Sequence, residues 1–204
     1  MKKLSNFNFN TPEEFDEIFV RNKNRIDDFD WKRWKQLLKY FNGGRLVDMG
    51  AFYPHLLKII KQKGCKAELY AVDYSPKVVE ELRKKYPQVK SYLQRVEEPF
   101  FGSNFFDYVV AGELLEHLDD PAIFIKEAMR ILKPKGWIAI SVPHKETMAG
   151  EVDGKNHLWS FDKEDLFGLL KNYGRVKIKI LGSQHFPRYK YKFPSLLAWC
   201  QKND

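Results

Sequence analysis

Cysteine is scarce in this chain. Only Cys65 and Cys200 occur among 204 residues, and neither stands in a C-x-x-C pair. That spacing argues against a disulfide framework or a zinc site of the usual kinds. An apolar run of the ~20 residues needed to span a bilayer is also missing, so no membrane segment is expected. The opening residues Met1-Lys2-Lys3-Leu4-Ser5-Asn6 lack the apolar stretch of a secretory signal, and a reducing cytoplasm is the expected setting. No internal repeat or low-complexity tract appears, which excludes solenoid and linker-like architectures. No G-x-G-x-x-G follows the first strand-like run, which argues against nicotinamide dehydrogenase chemistry.

What is present suits one domain. The chain is 44% hydrophobic and 15% aromatic, enough for a sizeable core. Its net charge of +8 is unevenly spread. Lys171, Arg175, Lys177, Lys179, Arg188, Lys190, Lys192 and Lys202 bring eight positive charges to a stretch without an acidic residue, nearly the whole excess. Such a segment suits an anionic substrate, a nucleic acid or a membrane surface, and equally a solvated strand face with a basic tail.

The apolar pattern divides the chain. Thr11-Pro12-Glu13-Glu14 predicts a capped first helix, and Asp30 to Phe41 a second with Trp31, Trp34, Leu37 and Leu38 on one face. Residues 1–42 thus read as a helical extension before a domain at 43–204. From Arg45 onward strands and helices alternate. Strands are expected at 45–50, 67–73, 89–93, 106–111 and 137–142. Helices are expected at 54–63, 76–85 and 121–132, the last stopped at Lys133-Pro134-Lys135-Gly136. A helix at 162–173 and strands at 175–180 and 195–201 complete the chain. Alternating elements imply an α/β fold, a parallel sheet with helices on both faces. The last two strands, joined by a connection that holds the aromatic and basic stretch 185–193, are expected to pair antiparallel.

Ligands in such sheets bind at the carboxyl ends of the strands. There the sequence places Asp48 and Gly50, a carboxylate and a residue that permits a tight turn and close ligand approach. Asp73 follows at the end of the second predicted strand. An acid at that spacing accepts both hydroxyls of a ribose, or caps the helix begun by Ser75-Pro76.

The runs Leu46-Val47-Asp48-Met49-Gly50-Ala51 and Tyr70-Ala71-Val72-Asp73-Tyr74-Ser75-Pro76 resemble the first two motifs of class I S-adenosylmethionine-dependent methyltransferases. The segment from Phe105 through Glu113-Leu114-Leu115-Glu116-His117-Leu118 is similar to their fourth-strand motif, and Ile131 to Trp137 to their approach to strand five. The resemblance spans roughly residues 40 to 180, with the motifs in register. It implies a Rossmann-like seven-stranded sheet with a reversed last strand, and S-adenosylmethionine as cofactor. Gly50 and Ala51 would lie beside its methionine part, with Asp48 and Phe52 in the same loop, Asp73 on the ribose, Tyr74 against the adenine, and Ser75 among the cofactor-binding residues. Gln94, Arg95 and Val96 match the loop that usually offers an acid to the adenine amino group, and the Gln94 side-chain carbonyl can accept that bond. Glu113 matches a position near the methionine end. Phe52 departs from the pattern, standing where a second glycine is usual; it either narrows the pocket or points away from it.

Methyl transfer needs a base only where the acceptor loses a proton. His144, after the fifth predicted strand, is the candidate, with His157 and Trp159 as candidate acceptor contacts; His117 reads as loop packing. A small-molecule acceptor is expected and no metal is, because no carboxylate stands at ligand spacing from the paired histidines. RNA methylation through the basic C-terminal segment is the second enzymatic reading. A cofactor-binding protein that has lost turnover is the reading from another class.

Overall fold

The computed structural model describes residues 1–4, 10–22, 28–51, 55–144, 157–182 and 194–204. Strand β1 (Lys2–Lys3) and helices α1 (Pro12–Asn22) and α2 (Asp28–Leu37) come first. The alternation follows as β2 (Gly44–Met49), α3 (His55–Lys63), β3 (Ala67–Asp73), α4 (Pro76–Lys85), β4 (Val89–Leu93) and β5 (Phe106–Gly112). After a single 3-10 turn (Leu115–His117) come α5 (Pro121–Ile131), β6 (Leu132–Pro143), β7 (Trp159–Ser160), α6 (Lys163–Leu170), β8 (Gly174–Leu181) and β9 (Ser195–Lys202).

The sheet has seven strands in the order β4-β3-β2-β5-β6-β9-β8. The first five in that order run parallel, and β9 is antiparallel to both β6 and β8. The expected α/β architecture with its reversed last strand is therefore present. Strand order reverses between β2 and β5, which opens the crevice at their carboxyl ends.

Alternation along the strands sorts the core into layers. On one face Trp34, Leu37 and Leu38 of α2 join Leu46, Ile60, Tyr108 and Trp199. The buried Tyr108 hydroxyl donates to the Leu37 carbonyl at 2.6 Å and locks the last turn of α2 onto the sheet. Beside this cluster, Val78 and Leu82 of α4 pack on Ala71. The other face buries Val47, Val72, Val109 and Ile138 under Phe124, Ile125 and Leu166 of α5 and α6. Helix starts follow local chemistry. Ser75 and Asp120 cap α4 and α5 ahead of a proline, and Asp162 and Asp165 form a reciprocal capping box at α6.

Some boundaries depart from the expected ones: α2 ends at Leu37 rather than Phe41, α6 at Leu170 rather than Tyr173, and the α5–β6 junction shifts. Helix α5 ends at Ile131, and Leu132 already pairs with Phe106, whereas the sequence predicted a helix through Leu132 and a strand from Trp137. Pairing resumes at Tyr108 with Trp137, so Lys133-Pro134-Lys135-Gly136 is a bulge inside β6. Complete burial of Leu132 and the Lys133–Asp107 ion pair at 2.7 Å hold it there, tertiary contacts that outweigh the local helix signal. A second small sheet, β1 on β7, also lies beyond local pattern, since each strand is two residues long. No described helix is long and apolar enough to cross a membrane.

Candidate functional site

The crevice is built first by the end of β2. Gly50 has φ +75, and its N–H and that of Ala51 both donate to the Val72 carbonyl, at 2.8 and 3.1 Å. A Cβ on Gly50 would stand 2.8 Å from the Leu114 side chain, so glycine serves both the turn and the close approach of the loop after β5. Just before it, Asp48 is buried among Ala51, Leu56, Leu57 and Ala71, which with it line a cavity of about 30 Å³. No described residue donates a hydrogen bond to its Oδ1. Burial, with Asp73 nearby, pushes the Asp48 carboxyl well above the usual carboxylate range.

Asp73 ends β3 at 6% exposure. Its Oδ1 accepts from the Ser75 N–H at 2.8 Å. Burial nevertheless pushes its carboxyl up to about 7, against the lowering effect of the Ser75 and Tyr74 backbone bonds. The Ser75 hydroxyl is committed to the α4 cap, accepting from Val78 N–H at 3.1 Å, and donates to Asp16 of α1. Asp16 also accepts from Lys77 N–H at 3.1 Å. Helix α1 is thus tied to the lip of the crevice. Phe19, buried with Ala51 and Ala71, and Phe15, edge-on to His117 at 5.7 Å, extend the contact to both sides.

Asp73 has a consequence for stability. The folded chain retains there a proton that the unfolded chain loses near pH ~4. The site's contribution is therefore greatest in acid and is lost as pH rises from about 4 to about 7, by roughly 2–4 kcal/mol. Asp73→Asn, neutral throughout, should flatten that part of the profile. Urea unfolding of both chains at pH 5 and 7.5 measures it, and parallel profiles would mean that Asp73 is ionised in the folded chain.

The loop after β4 closes one flank. Gln94 N–H donates to the Asp73 carbonyl at 3.0 Å, while its side-chain carbonyl accepts from Phe100 N–H at 3.2 Å. Arg95 lies 5.5 Å from the Tyr74 ring centroid and pairs with Glu97 at 3.2 Å; Val96 is buried. On the other flank Glu113 adopts φ +53, a left-handed conformation that a non-glycine residue holds only under constraint. Its N–H donates to the Ser141 carbonyl at 2.8 Å, and its carboxylate meets Arg33 of α2 at 2.9 Å. Arg33 also donates to Ser141 Oγ at 3.2 Å.

Of the residues singled out in the sequence, Asp48, Gly50, Ala51, Asp73, Tyr74, Ser75, Gln94, Arg95 and Val96 gather along the β2–β3–β4 side, and Glu113 faces them across the Gly50–Leu114 contact. His144 follows β6, bridged to Phe161, its N–H donating to the Pro194 carbonyl at 2.8 Å. His157 lies against His117, ring centroids 4.7 Å apart. Trp159 donates from Nε1 to the Leu118 carbonyl at 2.7 Å, so its polar atom serves the turn. Phe52 and the stretch 185–193 lie outside the described residues. Asp16, Phe19, Arg33 and Ser141 were not legible in the sequence. Their signal is tertiary, apart from the amphipathic pattern of the first two helices.

Comparisons place this architecture. Residues 47–140 match the sequence family described as a methyltransferase domain. A probable S-adenosylmethionine-dependent methyltransferase of Mycobacterium tuberculosis is 29% identical over 126 residues, 60% of this chain and 46% of that protein. The chain spans about half the length of the curated relatives it matches. Among solved structures, the complex of the Haloferax volcanii Trm112 methyltransferase activator with a methyltransferase gives a TM-score of 0.77 at 18% identity, covering 95% of this chain and 98% of that one. The Burkholderia thailandensis 1,6-didemethyltoxoflavin-N1-methyltransferase, solved with its acceptor and S-adenosylhomocysteine, gives 0.69 at 19% identity, covering 95% and 87%.

Proposed function

We propose, from the class I S-adenosylmethionine-dependent methyltransferase domain that this chain carries, that it transfers a methyl group from S-adenosylmethionine to a small-molecule acceptor. The cofactor reading is supported by the two carboxylates at the strand ends. Asp73 is a buried acceptor suited to the two hydroxyls of a ribose, and Asp48 Oδ1 is a buried acceptor without a described donor. A cofactor with hydroxyl and cationic groups matches this surplus of acceptors. Gly50 and Ala51 present backbone without side-chain bulk beside the methionine part, the Tyr74–Arg95 pair flanks the adenine, and Glu113 marks the methionine end.

The observation that carries the small-molecule reading is the cover over the crevice. Helix α1 is pinned to Ser75 by Asp16, to the core by Phe19 and to the far flank by Phe15 on His117, so it runs along the lip of the crevice. An enclosed site suits a small acceptor better than a polymer. In this reading residues 1–42 are the covering extension of a domain at 43–204. The toxoflavin-type neighbour, with its small heterocyclic acceptor, agrees in kind. The basic C-terminal segment lends less to RNA binding than its charge suggests. Lys177 stacks on Tyr40 and Trp137, and Lys202 donates to the carbonyls of Met129 and Leu132.

The bound cofactor supplies a methyl group already activated on a sulfonium. The protein therefore has to align the reactants and exclude water, a role for helix α1 at the crevice lip and for the constrained Glu113. His144, at the carboxyl edge beyond β6, takes the proton from an acceptor that must lose one, and His157 and Trp159 contact that acceptor. The free thiols of Cys65 and Cys200 suit a reducing cytoplasm.

Methyl-labelled S-adenosylmethionine incubated with acceptor pools and with total RNA is the test. Label in low-molecular-weight product is expected. Label confined to RNA would move the acceptor class. Cofactor binding without turnover on any pool would favour a degenerate binding protein, and no binding by folded chain would overturn the reading.

A further inference from the structure

Three side chains that the cofactor roles leave unused meet at the edge of the crevice. Glu116 and His117 lie in the 3-10 turn after β5, and His157 arrives from far along the chain, just before β7. The Leu158 N–H donates to the Glu116 carbonyl at 2.6 Å and brings His157 alongside. Asn10 Nδ2 on the His117 carbonyl, at 2.6 Å, and Trp159 Nε1 on the Leu118 carbonyl, at 2.7 Å, fix the same turn from two further directions. One ligand atom from each of Glu116, His117 and His157 lies within 4.8 Å of the others. Glu116 is fully buried and the two imidazoles are half-buried.

We propose that Glu116, His117 and His157 bind a divalent transition-metal ion, with Zn²⁺ the best match. Two imidazoles and one carboxylate form a donor set suited to Zn²⁺, which leaves a fourth position open. Donor atoms around Zn²⁺ stand about 3.4 Å apart when bonds are ~2.1 Å, so a small inward adjustment closes the shell. Partial exposure of the two histidines leaves an entry path, and the three hydrogen bonds to main-chain carbonyls hold the turn that carries Glu116 and His117 in place. The sequence pointed away from a metal because it holds no carboxylate at ligand spacing from His157; folding provides one. The fourth position that three protein ligands leave suits an oxygen atom of the acceptor. That last role rests on the methyltransferase reading, whereas metal binding does not.

The test uses the full chain, stripped with chelator and without cofactor. Zn²⁺ is titrated calorimetrically, and Co²⁺ is followed by its visible ligand-field absorption. One equivalent at micromolar Kd or tighter is expected, with Co²⁺ bands of a nitrogen and oxygen shell. His157→Ala should weaken binding at least ~100-fold, beyond the roughly 10–100-fold cost of losing an outer partner. Glu116→Gln, which keeps the buried shape, should do so as well, with circular dichroism unchanged in both. Absence of binding by folded wild type would overturn the site. So would binding of wild-type strength in either folded variant, since that ion would sit elsewhere. Loss of transferase activity alone bears on neither outcome.

Discussion

Asp73→Asn is expected to weaken S-adenosylmethionine binding by about 100-fold or more while leaving the fold intact. Asparagine keeps the shape and can still accept from Ser75 N–H, the bond that Asp73 Oδ1 now takes at 2.8 Å, so the turn into α4 survives. It loses the charge and replaces one acceptor oxygen with a donor. A hydrogen bond to a charged group contributes roughly 1.5–3 kcal/mol, and a ribose brings two hydroxyls. Their joint loss corresponds to about 10²–10⁴ in Kd. The pH profile separates this role from a purely capping one. With the carboxyl at about 7, the ionised form that accepts the hydroxyls grows as pH rises. Wild-type affinity should therefore strengthen from pH 6 to pH 8 by about tenfold, with a proton released on binding at the acid end. The variant should be flat. Calorimetric titration at pH 6, 7 and 8 measures both effects. An asparagine variant that binds like wild type would leave Asp73 with only the α4 cap to maintain.

The second large effect is on stability. Trp34 of α2 is 5% exposed, and a Cβ on Gly112 would stand 2.7 Å from its ring. The indole therefore occupies the space that a side chain at the end of β5 would need. Trp34→Ala should cost ~3–5 kcal/mol through lost burial and the cavity left behind. Gly112→Ala should cost ~1–3 kcal/mol by overpacking, since the buried ring has little room to retreat. Combined, the two should cost less than their sum, because the new methyl enters the space that the indole left. Denaturant unfolding of the four chains gives the coupling. Strict additivity would show that α2 yields around Gly112, and a Trp34→Ala cost under ~1 kcal/mol would show that it is a loosely held cover. The same helix carries Arg33 to Glu113 and Ser141, so Trp34→Ala should also loosen the constrained turn at Glu113.

The sequence by itself determined what local periodicity and end chemistry determine. Strands buried on both faces read as apolar runs, and Ser75-Pro76, Asp120-Pro121 and Asp162 placed the starts of three helices to within a residue. Alternation then implied the parallel sheet, and the connection between the last strands implied their reversal. Asp73 at a strand end, at ribose spacing from Gly50, was legible for the same reason: both lie within one βαβ unit. Tertiary structure decided the rest. It ended α5 at Ile131 by burying Leu132, paired β1 with β7 across almost the whole domain, tied α1 to Ser75 at the lip of the crevice and packed α2 on a face of the sheet. It also brought His157 to Glu116 and His117, and it set the protonation of Asp48 and Asp73 by removing water from both. Propensity acts over a few neighbouring residues. Burial, close approach and ionisation depend on what packs against a side chain from distant parts of the chain, and only the folded arrangement supplies those neighbours.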